Sequence, residues 1–366
     1  MNVNDAQAIL DSYVAKGIPG CSMTVYKDHK EIFRAKSGYA DVEAGREMSF
    51  DALANIYSCS KVITCTAALT LVAAGKMRLD DALGEYIPEF AKMNVRVHLP
   101  NGESVIRPTS RQIKISDLFT MSAGLDYDLN SEPIRRVREK TDGRCPTLEI
   151  VKALADRPLC FEPGTQFRYS LCHDVIGALI EVVSGMSFGE YLKRTIFDPL
   201  EMNDTGFVIG NEKAPRMMAQ YRYDPELGKA VNIGPKCAYK LGSEYESGGA
   251  GLISSLEDYG KFVDMLACEG VGANGARIIS RGFIDVMRAP KFVINHPGYR
   301  YALGVMVHTD RSESLMPSPL GEFAWSGAAG SQMLIDPENH ISMFYMQHML
   351  ATPLPVRDRL VNVVYS

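Results

Sequence analysis

A chain of 366 residues, 46% hydrophobic and 23% charged, has the composition of an ordinary globular protein with room for a sizeable core. Its net charge of −5, with signs well mixed, gives no reason to expect nucleic acid or an anionic membrane as partner. The first residues carry neither a charged nor an apolar leader, and no apolar run approaches a membrane span; a cytoplasmic location is the expectation.

Residues 7–16 read as a short amphipathic helix. Residues 21–26 and 30–37 then read as two strands of a hairpin around Lys27-Asp28-His29. Next comes Tyr57-Ser58-Cys59-Ser60-Lys61, opening the apolar run 62–74 that stops at Gly75. Residues three apart share a helix face, so the Lys61 amine can reach the Ser58 hydroxyl. Burial disfavours the charged form of a lysine, which would let Lys61 take the serine proton and make Ser58 a nucleophile. The backbone N–H groups at a helix start suit a developing oxyanion. One S-x-x-K is about what chance provides in a chain this rich in both residues, so the motif alone is also consistent with a mere helix cap.

Residues 95–99 and 104–106 flank Asn101-Gly102, the signal of a second hairpin. Helical patterns follow at 116–122, 147–156, 174–184 and 187–197. The basic cluster Arg135, Arg136, Arg138 and Lys140 is interleaved with Glu132, Glu139 and Asp142, and reads as a solvated helix face. Gly185-Met186-Ser187-Phe188-Gly189 matches the G-x-S-x-G elbow, which requires a strand before the serine. A helical pattern precedes it instead, and Ser187 with Glu190 forms a capping-box signature, so Ser187 is expected to cap a helix. Beyond Gly248, a helix at 255–266 leads to strands at 331–335 and 341–347 around Asp336-Pro337-Glu338-Asn339.

Eight cysteines lack C-x-x-C spacing and sit mostly in apolar runs, as reduced, buried thiols would. Cys172-His173 has no partner pair at metal-ligand spacing, so no metal and no cofactor are expected. Strands at both ends with helices between predict an α/β (α+β) fold: an antiparallel sheet built from both termini and flanked by helices. A mainly helical subdomain of about residues 58–234 would be inserted into it, all within one domain.

The order of segments resembles the serine β-lactamase and penicillin-binding-protein superfamily, with a pattern most like class C β-lactamases and family VIII esterases. The resemblance runs nearly end to end. It rests on Gly17-Ile18-Pro19-Gly20, Gly38-Tyr39-Ala40-Asp41, the Ser58–Lys61 box, Met121-Ser122-Ala123-Gly124-Leu125 and Pro163-Gly164-Thr165 leading to Tyr169-Ser170. Gly248-Gly249-Ala250-Gly251-Leu252 and Trp325-Ser326-Gly327-Ala328 complete it.

That resemblance implies a β-lactamase/transpeptidase-like fold and a role for Tyr169 in proton transfer beside Ser58 and Lys61. It implies an oxyanion site made by the amides of Ser58 and Ala328. Substrate would be met by Trp325, Ser326, Gly327, Leu171 and Tyr127, and the hairpin 95–106 and the segment 127–145 are expected to shape the cleft mouth. Two positions depart from the family. Leu171 stands where an asparagine would hydrogen-bond an amide, and Trp325 stands where a lysine or histidine would meet a carboxylate. Gly327 is expected to let substrate approach an edge strand. The expected activity is a serine hydrolase forming an acyl-enzyme on Ser58, acting as a carboxylesterase or acyltransferase on small neutral acyl esters. β-Lactamase, D-aminopeptidase or amidase activity at the same site is the alternative, and a non-catalytic ligand-binding relative is the alternative of another class. Sequence leaves the oligomeric state open.

Overall fold

The structure, a computed structural model, describes residues 3–234 and 236–366. The chain opens with helix α1 (Val3–Ala15), strands β1 (Gly20–Lys27), β2 (Lys30–Asp41), β3 (Arg46–Glu47) and β4 (Leu53–Asn55), then helix α2 (Ser60–Ala73). The outlying hairpin β5 (Asn94–His98) and β6 (Ser104–Pro108) precedes helices α3 (Ile115–Phe119), α4 (Glu132–Lys140), α5 (Thr147–Leu154), α6 (Cys172–Ser184) and α7 (Phe188–Leu192). Strands β7 (Tyr221–Asp224), β8 (Lys229–Asn232) and β9 (Ile253–Ser255) lead to helices α8 (Leu256–Ala267) and α9 (Arg281–Met287). The remainder is β10 (Phe292–Val293), β11 (Tyr299–Tyr301), β12 (Met306–His308), α10 (Arg311–Ser314), β13 (Phe323–Ala324), β14 (Gln332–Asp336), β15 (Ile341–Gln347), β16 (Met349–Leu350) and α11 (Val356–Val364).

Nine strands form one antiparallel sheet in the order β10-β11-β12-β13-β14-β15-β1-β2-β3, so the two ends of the chain meet in its middle. β1 pairs with β15 from Cys21 opposite Gln347 to Lys27 opposite Ile341. The β1–β2 turn is tight because Asp28 and His29 both adopt left-handed backbone angles, φ 49° and 66°, which short polar side chains tolerate.

The alternation of β15 serves two cores. Phe344 and Met346 join the larger core, and Met343 and Tyr345 the smaller one beneath α1 and α11. Helix α8 lies on the larger face, where its Gly260 lets it close on Thr24 and Tyr26 of β1: a Cβ there would stand 3.1 Å from Thr24 Cγ2 and 3.0 Å from Tyr26 Cε2. Tyr259, one residue earlier, stacks on Phe344 with ring centroids 4.3 Å apart. Its hydroxyl donates to the Cys59 carbonyl at 2.8 Å, so the sheet-covering helix also holds the turn that carries Ser58.

Several expectations shift in detail. Ser58 lies in a 3₁₀ turn, Tyr57–Cys59, ahead of α2 rather than inside it. The 187–197 helix is broken, α7 giving way to a wider π turn over Lys193–Phe197. Ser187 caps α7 as its sequence predicts: its hydroxyl accepts the Glu190 N–H at 3.3 Å.

Candidate active site

Tyr57 takes φ 47°, a conformation that costs a bulky residue of the order of 1–3 kcal/mol. It is held there by complete burial and by a hydrogen bond from its hydroxyl to Gln220 Oε1. The elbow presents Ser58 at the head of α2. Tyr169 Oη lies 2.7 Å from Ser58 Oγ, and Lys61 Nζ lies 3.3 Å from it. The structure thus brings together the three residues that sequence assigns to nucleophilic and proton-transfer roles.

Lys61 is fully buried and donates to the Gly249 carbonyl at 2.5 Å. The glycine-rich run 248–252 clamps the whole start of α2. Thr64 Oγ1 donates to the Gly248 carbonyl (2.8 Å), the Leu252 N–H donates to Ser60 Oγ (3.1 Å), and the Ile56 N–H donates to the Leu252 carbonyl (3.0 Å). Gly249 has a steric reason to be glycine. A Cβ there would stand 2.6 Å from Asp174 Oδ2, 3.2 Å from Tyr127 Oη and 3.3 Å from Lys61 Nζ.

Asp174 is the site residue that sequence reasoning missed. It sits in the first turn of α6, where an acid is unremarkable, yet it is 1% exposed. Its Oδ1 accepts from Tyr245 Oη (2.8 Å) and Ser247 Oγ (2.6 Å), while Oδ2 has no hydrogen-bond partner among the described residues. Burial raises its carboxyl above the usual carboxylate range, against the opposing pull of Ser247, Lys61 and Tyr245. Burial, with Asp174 next in weight, also raises the Tyr127 phenol.

An aromatic wall runs past the nucleophile. Trp325 stacks on Tyr169 (5.9 Å, 25°), Tyr169 on Tyr127 (5.6 Å, 13°), and Tyr127 meets Tyr239 edge-on (5.8 Å, 81°). Lys61 Nζ lies 4.6 Å from the Tyr169 ring centroid. Tyr127 and Trp325 thus both lie against Tyr169, the residue that reaches Ser58. Leu171, expected to meet substrate, is 2% exposed and packs in the larger core, so it offers a substrate almost no surface.

Gly327 also needs correction. β13 is an interior strand, and Trp325–Ala328 runs past its end, with Ser326 bridged to Gln332. What approaches Gly327 closely is the protein itself, since a Cβ there would stand 2.5 Å from the Ile56 carbonyl oxygen. Glycine lets this segment press against the Ser58 turn. Ala328, next along, is exposed, and its N–H donates to no acceptor among the described residues. It is free to serve an oxyanion.

Cys172 and His173 part company: Ser170 Oγ lies 3.1 Å from the Cys172 thiol, and the buried His173 ring contacts Cys65 and the Phe119 carbonyl. Among the described residues one cluster, His29, Asp264 and Cys268 at the β1–β2 turn and the end of α8, could hold a metal ion; it shares no residue with the Ser58 site.

The sequence matches the Beta-lactamase family over residues 6–364. The chain belongs to the beta-lactamase family. Within this family it is similar to Esterase EstB of Burkholderia gladioli, 30% identical over 94% of this chain and 90% of that protein. It is also 29% identical, over 95% of this chain and 90% of the relative, to Protein Rv1367c of Mycobacterium tuberculosis. Among solved structures, EstCE1, a hydrolase with promiscuous acyltransferase activity, superposes with a TM-score of 0.80 at 25% identity, covering 99% and 98% of the two chains. The unliganded simvastatin synthase LovD of Aspergillus terreus shares the beta-lactamase family fold, with a TM-score of 0.80 at 17% identity over 99% and 98%.

Proposed function

We propose that this serine hydrolase of the beta-lactamase family works through an acyl-enzyme on Ser58 and acts on small, neutral acyl esters. The observation that carries the reading is the position of Ser58 Oγ between Tyr169 Oη at 2.7 Å and Lys61 Nζ at 3.3 Å. Ser58 Oγ attacks the ester carbonyl carbon, and its proton passes to the Lys61–Tyr169 pair. The carbonyl oxygen, now negative, is met by the amides of Ser58 and Ala328. Collapse expels the alcohol, which takes the proton back; water, or a second alcohol, then repeats the sequence in reverse to release the acyl group.

Substrate polarity follows from the wall. Half-buried Trp325 and Tyr127 leave part of their apolar ring surface exposed beside Tyr169, and position 325 carries no cationic side chain to meet a substrate carboxylate. Esterase EstB and the acyltransferase activity of EstCE1 are consistent with either fate of the acyl group. Eight free cysteines suit a reducing compartment, which supports a cytoplasmic location as part of this proposal.

A fluorophosphonate probe tests the nucleophile. Mass spectrometry should find the adduct on the peptide containing Ser58, and incubation with a p-nitrophenyl ester should trap an acyl group there. Labelling at Ser187 with Ser58 unmodified would overturn the assignment.

A further inference from the structure

A cleft of about 260 Å³ is lined by Arg96, His98, Asp126, Arg157, Cys160 and Arg168, two of which, Asp126 and Arg168, immediately precede Tyr127 and Tyr169 in the chain. Its floor is fixed by backbone pairing. The Arg96 N–H donates to the Leu159 carbonyl (2.9 Å), the Cys160 N–H to Gly124 (2.7 Å) and the Arg168 N–H to Met121 (2.9 Å). Arg96 and His98 are two apart on β5 and so share a face.

Three arginines line this cleft, and one of them is matched by carboxylates. Arg157 holds Asp126 through Nη2–Oδ2 at 2.8 Å and has Asp128 at 3.6 Å. Arg96 and Arg168 are exposed, and neither guanidinium has a hydrogen-bond or carboxylate partner among the described residues. Two unmatched positive charges on one concave surface repel each other until an anion lies between them. A phosphate monoester carries about −1.5 to −2 at neutral pH, and its oxygens accept the paired N–H groups of arginine forks.

We infer that this cleft is a binding site for a phosphate group, and that its occupancy acts on the site around Ser58. The link is covalent and short. Arg168 lines the cleft and Tyr169 reaches Ser58; Asp126 lines the cleft and Tyr127 stacks on Tyr169. The two segments are tied by the Leu171 N–H to the Asp126 carbonyl at 3.1 Å. A phosphate gripped by Arg96 and Arg168 acts on both tyrosines through these adjoining residues. The phosphate is either free in solution or carried on the distal end of a substrate.

Calorimetry with inorganic phosphate on the full chain tests the binding itself and needs no turnover, so it stands apart from the acyl-enzyme reading. One saturable site is expected, weakened by about tenfold in Arg96→Ala and again in Arg168→Ala, as for loss of a charge-assisted hydrogen bond each. Arg135→Ala, an exposed arginine outside the cleft, should leave it unchanged, and chloride at equal ionic strength should not substitute. No saturable binding, or equal binding by the Arg96→Ala/Arg168→Ala double variant, overturns the site. The kinetic arm, which does rest on ester hydrolysis, separates the two sources. Free phosphate as effector changes kcat/KM of a neutral ester saturably over the binding range. A substrate-borne group instead makes phosphate a competitor only of an ester bearing a distal phosphate. Phosphate that binds yet alters neither ester overturns the link to Ser58.

Discussion

The Gly249 carbonyl oxygen lies 2.5 Å from Lys61 Nζ, closer than the 3.3 Å that separates Nζ from Ser58 Oγ. The amine is thus located by the main chain of a glycine loop, and that loop is itself pressed against Asp174. Gly249→Ala should therefore cost activity through displacement of Lys61, with kcat falling roughly tenfold to a hundredfold while KM changes little. Asp174→Ala removes the carboxyl that the new methyl would strike. The Gly249→Ala/Asp174→Ala pair should then be far from additive in kcat and in unfolding free energy, because the two changes share one point in space. Additive losses in a double-mutant cycle would separate Asp174 from the lysine's placement.

Ser58→Ala should abolish ester turnover with the fold intact. Ser187→Ala should keep normal kinetics and lose about 0.5–2 kcal/mol of stability as a missing helix cap. Urea denaturation beside steady-state kinetics on both variants distinguishes them, and an inactive, well-folded Ser187→Ala would reverse the assignment.

Lys61→Ala and Tyr169→Phe should each lower kcat by roughly a hundredfold or more, since both flank the same hydroxyl. Combined, they should cost little beyond the worse single change, as groups working as one unit do. Multiplicative losses would leave one of the two a packing residue.

Acid should weaken the fold through His173. Burial first, then Lys61, lowers its ring to about 3 from the ordinary 6.5, so the unfolded chain takes up the proton before the folded one does. Between those two values stability falls as pH falls, by up to about 1.4 kcal/mol per pH unit from this one group. His173→Gln should flatten the pH dependence of the unfolding free energy over that window, whatever it does to the absolute value. Identical slopes for the two proteins would contradict this.

Selectivity should follow Trp325. Short neutral p-nitrophenyl esters should be turned over much faster than a carboxylate-bearing cephalosporin. Trp325→Lys should shift the kcat/KM ratio toward the anion, and Trp325→Phe should preserve the ester preference. Cephalosporin hydrolysis as efficient as ester hydrolysis in the native protein would favour the β-lactamase alternative.

What sequence conveyed were the features with local causes. The polar turn at Asp28-His29 announces a hairpin, the spacing of Ser58 and Lys61 places both on one turn, and Ser187 with Glu190 announces a cap. Features whose causes lie far along the chain stayed hidden. β10 to β13 are two or three residues long, too short to show alternation, and owe their conformation to neighbours across the sheet. Asp174 looks like any first-turn acid until Tyr245, Ser247 and Gly249 close over it from some seventy residues away. Leu171 stands two residues from Tyr169 in sequence, but helix α6 begins there and Leu171 is buried in the core.

The pairing of β1 with β15 bears on how the chain is made. On the ribosome, the β1–β2 hairpin emerges well ahead of β15 and must wait for the intervening residues, 42–340, before its central neighbour exists. At about 5–20 residues per second that interval is of the order of tens of seconds. During it one edge of β1, which includes Met23 and Val25, has no strand beside it, and the segment that later presses Gly327 against the Ser58 turn has yet to be synthesised. Nascent chains should therefore be inactive and dependent on chaperones until their last strands are released, and removal of β15 should leave an aggregating chain rather than a weakened enzyme.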